Sequence, residues 1–221
     1  MTAAKVSVLL VEDHRLMFEG LSAILSEEAD LNVVGVATTM ADAVEKSMLL
    51  KPDLVLMDYR LPDGDGAQAT QRIRAKLPET VVVFLSAESS ESAQLKAVQA
   101  GASGFVSKAA TAEDLVDAIR RAAQGELLLE AATMARVGGG PSSPPQPEGS
   151  PATAASQLTR RECEVLALLA RGMENSEIAA ELGVTNGAVR SHVRAALQKL
   201  GAHTRAQGVA AAEKAGVLRG V

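Results

Sequence analysis

Five short apolar runs punctuate the first half of the chain, at residues 6–11, 32–37, 54–57, 81–85 and 105–108. Runs of this length, rich in Val and Leu, are the pattern of strands buried on both faces. Between them apolar residues return at helical spacing. Leu16, Met17, Gly20, Leu21, Ile24 and Leu25 form the first such stripe. Further helices are predicted over 40–50, where Pro52 marks the stop, and over 66–76, 90–100 and from Thr111 onward. Thr111-Ala112-Glu113-Asp114 opens the last one as a variant capping box, with Leu115, Val116 and Ile119 on its apolar face. Strands alternating with helices imply a five-stranded, doubly wound parallel sheet. Right-handed crossovers put every strand C-terminus on one edge. Polar residues stand at four of those ends: Glu12 and Asp13, Asp58, Ser86, and Lys108. The topology alone brings them together.

The cluster has a definite chemistry. Carboxylates at adjacent strand ends repel unless a cation intervenes. An all-oxygen set suits Mg²⁺, which binds through one or two carboxylates and keeps waters for a phosphoryl group. Lys108 adds a positive charge and Ser86 a hydroxyl. A carboxylate nucleophile at Asp58 with these neighbours is equipped to accept a phosphoryl group, a reaction governed by positioning and charge neutralisation. Asp63 and Asp65, beside Gly64 and Gly66, read as turn residues. His14 reads as the residue that opens the first helix, with metal ligation as the alternative.

The chain has 221 residues, enough for two ordinary domains. Aromatic residues are only 2%, so the core must be built from Ala, Val, Leu, Ile and Met. Cys163 is the single cysteine, which excludes a disulfide within one chain and reads as a small buried apolar residue. The N-terminus lacks the apolar stretch of a signal peptide. No apolar run nears the roughly 20 residues of a membrane helix. A soluble, cytoplasmic protein with no membrane partner is expected.

From residue 156 onward there are nine basic and six acidic residues, against 13 basic and 21 acidic before it. An acidic first domain and a second that tolerates polyanions are therefore expected. The Gly-, Pro- and Ser-rich stretch 137–155 cannot bury a core and reads as linker. The expected domains are 1–125 and 156–221, with 126–155 joining them.

Only helices follow. Thr159 caps one carrying Val165, Leu166, Leu168 and Leu169, ended by Gly172. A short helix over 176–182, a turn at Gly183 and a longer helix from Thr185 to Leu200 make a helix-turn-helix pattern. A last helix spans 205–215. In the longer helix Val189, Val193, Leu197 and Leu200 form an apolar stripe, with Gly187, Ser191, Ala195 and Gln198 opposite. Arg190 and Arg194 line one shoulder, and His192 and Lys199 the other. Small residues on the crest with cations at the shoulders suit a DNA major groove.

The set Glu12/Asp13, Asp58, Ser86, Phe105 and Lys108 on this frame resembles the receiver domain of two-component response regulators, a flavodoxin-like fold, over about residues 5–124. The resemblance implies that Asp58 accepts a phosphoryl group from a sensor histidine kinase. It implies that Asp13 and Asp58 hold Mg²⁺, with Glu12 reaching it directly or through water and the Arg60 backbone carbonyl as a further ligand. Lys108 would contact the phosphoryl oxygens, Ser86 would move to bond them, and Phe105 would swing inward. Phe105 stands where Tyr is frequent, and Ala109 where many receivers have Pro.

The segments Leu158-Thr159-Arg160-Arg161-Glu162, Asn175-Ser176-Glu177-Ile178-Ala179, Val189-Arg190-Ser191-His192-Val193 and Lys199-Leu200-Gly201 look like the LuxR-type helix-turn-helix. Together the two halves resemble the NarL/FixJ class. The implied protein is a phosphorylation-regulated transcription factor that binds double-stranded promoter DNA as a homodimer, the last helix being the dimer surface; its small residues Gly208 to Ala212 suit close helix approach or plain core packing equally. It is not an enzyme, apart from weak self-dephosphorylation. The expected DNA contacts are Thr185, Asn186, Ala188, Val189, Arg190, His192, Arg194 and Lys199. Ser176 replaces the Lys or Arg common in relatives, and the start of the recognition helix is small and lightly charged. Two alternatives stay open: a DNA binder indifferent to phosphorylation, and a phospho-switch whose helical domain binds a protein.

Overall fold

A computed structural model of the chain describes residues 5–87, 91–128, 158–202 and 204–220. Most of the expected linker, 129–155, lies outside the described residues. The described residues fall into two units: one of residues 5–123 and 128, the other of 124–127 and 158–220.

In the first unit the order is β1 (Val6–Val11), α1 (Arg15–Ser26), β2 (Leu31–Ala37), α2 (Met40–Leu50) and β3 (Leu54–Asp58). Then come β4 (Arg60–Leu61), β5 (Gly64–Asp65), α3 (Gly66–Lys76), β6 (Val81–Ser86), α4 (Glu91–Gln99), β7 (Gly104–Ser107) and α5 (Ala112–Ala123). Five strands form one parallel sheet in the order β2-β1-β3-β6-β7. The strand order reverses between β1 and β3. In open α/β sheets the crevice outside such a switch point is where ligands bind, and here it lies between the ends of β1 and β3.

The strands bury both faces, and period-two alternation sorts their residues. Val8, Leu10, Leu54, Leu56, Val81 and Val83 pack with Leu21 and Leu25 of α1 and Leu115, Val116 and Ile119 of α5. Leu9, Val11, Val55, Met57, Val82 and Phe84 pack with Met40, Ala43, Ala69, Ile73 and Ala97 on α2, α3 and α4. Each fully buried Leu or Val contributes about 1.5–3 kcal/mol of transfer free energy. Leu16 departs from the expected stripe. It sits in the first turn of α1 and is 86% exposed.

Two features of the loop after Asp58 differ from a plain turn. Arg60 pairs with Asp65 and Leu61 with Gly64 in a two-residue antiparallel ribbon. Asp65 caps α3 through the Gln68 amide, and Asp63 accepts from the Met40 and Ala41 amides at 2.5 and 3.0 Å. Asp63 thus caps α2 from 23 residues away, and its carboxyl sits below the ordinary range because of these amide bonds, Ala41's first.

The second unit is all helical: α6 (Arg160–Ala170), α7 (Asn175–Leu182), α8 (Asn186–Leu200), α9 (Arg205–Lys214) and a 3-10 turn over Val217–Gly220. Thr159 and Thr185 accept the amides of Glu162 and Ala188, as cap residues do. Gly183 ends α7 in the left-handed region at φ 63°, which an L side chain rarely adopts. Val165, Leu166, Ile178, Val189, Val193 and Leu197 make the core. Residues 124–127 group with this unit, where the Asn175 amide donates to the Gln124 carbonyl at 3.2 Å.

Candidate functional site

The cleft at the β1/β3 switch point has a volume of about 510 Å³ and is lined by Asp13, His14, Asp58, Tyr59, Arg60, Ser86 and Lys108, among others. Local structure positions each group. Glu12 follows β1 directly, and its amide extends the ladder to the Ala37 carbonyl at 3.0 Å. Asp58 is the last residue of β3, paired in register with Leu85. Ser86 ends β6 opposite Ser107. Lys108 stands one residue past β7, its amide bonded to the Ser86 carbonyl at 2.9 Å.

Polar residues are buried here. Glu12, Asp58 and Ser86 are 0%, 5% and 8% exposed. The Lys108 ammonium donates to Glu12 Oε2 and Asp58 Oδ2, both at 2.7 Å. The Arg60 amide donates to Asp58 Oδ1 at 3.2 Å. Burial pushes the Asp58 carboxyl above the ordinary carboxylate range; Lys108 opposes this, and the nearby Glu12 charge adds to it. Burial pulls the Lys108 ammonium down, but its bonds to Asp58 and Glu12 outweigh that and raise it. Two buried carboxylates share one ammonium, which leaves the site short of positive charge.

His14 and Asp13 stand at the mouth. His14 Nδ1 lies 3.0 Å from Glu12 Oε1 and 2.9 Å from Asp13 Oδ1. These contacts, the Glu12 bond first, raise the imidazole pKa. One donor atom from each of Glu12, Asp13, His14 and Asp58 lies within 4.8 Å of all the others.

Behind the cleft Phe105 is half-buried and stacked on Phe84, with centroids 5.3 Å apart and planes at 19°. Phe84 also meets Tyr59 at 5.9 Å. Three of the four aromatic residues in the chain therefore form one cluster that begins at Tyr59, next to Asp58. Gly66 makes the approach of α3 to β3 feasible. A Cβ there would stand 2.4 Å from the Asp58 carbonyl oxygen and 2.7 Å from Phe84.

In the helical unit α8 has the bounds expected of a recognition helix, but its side chains divide differently. Thr185 is exposed, and Asn186, Ala188, His192 and Arg194 are half-buried. Val189, expected to reach a base, is fully buried in the core, because the apolar stripe faces α6 and α7. Gly187, expected on the crest, is buried too. Arg190 is 7% exposed. Lys199, expected on a shoulder, places its ammonium 2.8 Å from both oxygens of the buried Glu162. The small residues of α9 resolve toward packing at two positions. Ala212 is fully buried, and a Cβ on Gly208 would stand 2.3 Å from Leu197 Cδ2.

The sheet order and the acid–lysine cluster define a receiver-type domain, and the comparisons agree. Residues 8–120 match the response regulator receiver domain, and residues 156–212 match the luxR family of bacterial regulatory proteins. The response regulator protein VraR of Staphylococcus saprophyticus is 34% identical over 204 residues, covering 92% of this chain and 94% of that protein. A LuxR-family two-component response regulator from Aurantimonas is similar in structure, with a TM-score of 0.56 and 27% identity over 61% of this chain and 96% of that one. RcsB of Salmonella typhimurium shares the fold at 20% identity, with a TM-score of 0.54 over 99% of this chain and 100% of that one. The chain belongs to the two-component response regulators of the NarL/FixJ class, with a luxR-type C-terminal domain. It is a phosphorylation-regulated, DNA-binding transcription factor.

Proposed function

We propose that Asp58 is the phosphoacceptor, and the observation that carries this is its place at the switch point within reach of Lys108 and Glu12. A sensor histidine kinase presents a phosphohistidine. An Asp58 carboxylate oxygen attacks phosphorus, the P–N bond breaks as the P–O bond forms, and the kinase imidazole takes up a proton. Lys108, now shared by two carboxylates, turns to the phosphoryl oxygens and neutralises part of their charge.

The donor set fits Mg²⁺: Glu12, Asp13 and Asp58 are hard oxygen ligands whose donor atoms lie within 4.8 Å of one another. Asp13 and Asp58 would hold the ion, with Glu12 and the Arg60 carbonyl as further ligands. A bound ion supplies the positive charge that this cluster lacks. Ser86 then turns its hydroxyl to the phosphoryl group, and Phe105 moves inward along Phe84. Asp58 is an acceptor with weak self-dephosphorylation, and no other turnover is proposed.

The proposed domains remain 1–125 and 156–221 joined by 126–155, except that 124–127 group with the helical unit. The active form is a cytoplasmic homodimer on double-stranded promoter DNA, with α9 in the dimer surface. Among the described residues no helix is long and apolar enough to cross a membrane. Thr185, Asn186, Ala188, His192 and Arg194 are the DNA contacts that the exposure pattern supports.

Asp58→Asn tests the reading. With a small-molecule phosphodonor and Mg²⁺, the wild-type chain is expected to label, to shift toward dimer on gel filtration, and to bind promoter DNA more tightly with a strong salt dependence. The variant should do none of these in response to the donor. Unchanged labelling of the variant removes Asp58 from the role.

A further inference from the structure

His14 is placed by the structure for more than opening a helix. It occupies the N-cap of α1 with extended backbone at φ −85° and ψ 111°, yet its side chain makes no capping hydrogen bond. Instead the ring turns back to the acids. Glu12 is shared between two nitrogen groups. Its Oε2 receives Lys108 at 2.7 Å, and its Oε1 faces His14 Nδ1 at 3.0 Å. Asp13 Oδ1 stands on the same side as His14, 2.9 Å from it.

These spacings match one coordination shell. For metal–ligand bonds of about 2.1 Å, neighbouring donors of an octahedron sit about 3 Å apart and opposite ones about 4.2 Å. The His14 Nδ1 contacts of 2.9 and 3.0 Å are hydrogen-bond lengths that equal the spacing of neighbouring donors, and all four donor atoms lie within 4.8 Å of one another.

We propose that His14 Nδ1 is a ligand of the receiver's divalent cation, which makes the site a mixed oxygen–nitrogen one that takes a first-row transition ion such as Mn²⁺ or Co²⁺ more tightly than Mg²⁺. Affinity for a nitrogen-containing site rises along the first row from Mn²⁺ to Co²⁺, whereas imidazole adds little for Mg²⁺, which prefers carboxylate, carbonyl and water. The proposal rests on the cation-site reading given above. Mg²⁺ would be held by the carboxylates and the Arg60 carbonyl without His14, so the two ions would use overlapping but unequal donor sets.

The test uses the full-length, untagged chain. Mn²⁺ is added, and electron spin-echo modulation reads whether a ¹⁴N nucleus is bonded to it. The wild type is expected to show that coupling, and His14→Ala to lose it. The variant excludes His192 and His203 as the source. In parallel, calorimetry of Co²⁺ and Mg²⁺ is expected to show the Co²⁺:Mg²⁺ affinity ratio falling about tenfold or more in the variant. His14 is a side chain 75% exposed, so the variant should keep the wild-type circular dichroism. Mn²⁺ bound without nitrogen coupling, or an unchanged affinity ratio, overturns the proposal while leaving the carboxylate site intact. Failure of the wild type to bind either Mg²⁺ or Mn²⁺ overturns the cation-site reading and the proposal with it.

Discussion

Lys108 and Lys199 make the same contact in the two units and do opposite things with it. Lys199 puts its ammonium 2.8 Å from both oxygens of one carboxylate, and Glu162 also accepts the Thr159 amide at 2.7 Å. The charges cancel and the acceptors are filled, so that pair is closed. Lys108 instead bridges two carboxylates at 2.7 Å each, with Asp13 beside them. One positive charge meets two or three negative ones in a cleft at the sheet's switch point. A satisfied pair stabilises a fold, whereas an unbalanced one leaves chemistry to be completed by a ligand. The difference lies in charge count and place, because the N···O distances are nearly the same.

The largest expected effect comes from the frame that holds the unbalanced site. Gly66→Ala forces a Cβ to 2.4 Å from the Asp58 carbonyl, against backbone that cannot yield. It should cost about 3 kcal/mol or more in chemical denaturation. A loss near zero would mean that α3 does not position Asp58.

Next come the two lysine sites, whose carboxylates Asp58 and Glu162 are shifted in opposite directions. Lys108→Met leaves Glu12 and Asp58 buried side by side and should destabilise the receiver unit by about 2–3 kcal/mol near neutral pH. The Asp58 carboxyl already sits above its ordinary range. A raised folded-state value means stability that is present at low pH and lost as pH rises through it. The variant should therefore recover on acidification, and on adding a divalent cation.

Glu162 behaves in reverse. Burial pushes its carboxyl up, but the Lys199 and Thr159 bonds prevail and hold it below the ordinary range. Its contribution is present above that range and disappears as pH falls through the lowered value. Glu162→Gln should cost about 1–2 kcal/mol at neutral pH and flatten the acid limb of the helical unit's stability curve. If the stability of Lys108→Met does not rise as pH falls, or if Glu162→Gln keeps the wild-type acid limb, the contrast between open and closed pairs is wrong.

Asp63 calibrates the comparison as an acid outside both pairs. Asp63→Ala removes a cap shared by two amides of α2, and a drop in melting temperature on the order of a few degrees is expected. A shift as large as that of Lys108→Met would show that the pairs are not special.

Much of this was legible in the chain itself. The alternation of apolar runs and helical stripes places the strands and the polar groups at their ends, so Glu12, Asp58, Ser86 and Lys108 meet as expected. The caps at Thr159 and Thr185 and the turn at Gly183 also follow from local chemistry. The DNA-facing side chains were less legible. A helical wheel assigns Lys199 to a shoulder because it cannot see Glu162, 37 residues earlier. Val189 lies on the apolar stripe of that wheel, and its full burial removes it from the expected base contacts.

What the sequence by itself determined is therefore periodic and local: strand and helix, cap and turn, and the list of groups at the sheet edge. Only the tertiary structure decided how those groups pair. It closed Lys199 on Glu162 and left Lys108 between two acids. It bound Asp63 to α2 across 23 residues, exposed Leu16, and turned His14 back toward Glu12 and Asp13. The reason is physical. Propensity and period act over a few residues, while the partner of a charge is chosen by the packing of elements far apart in the chain.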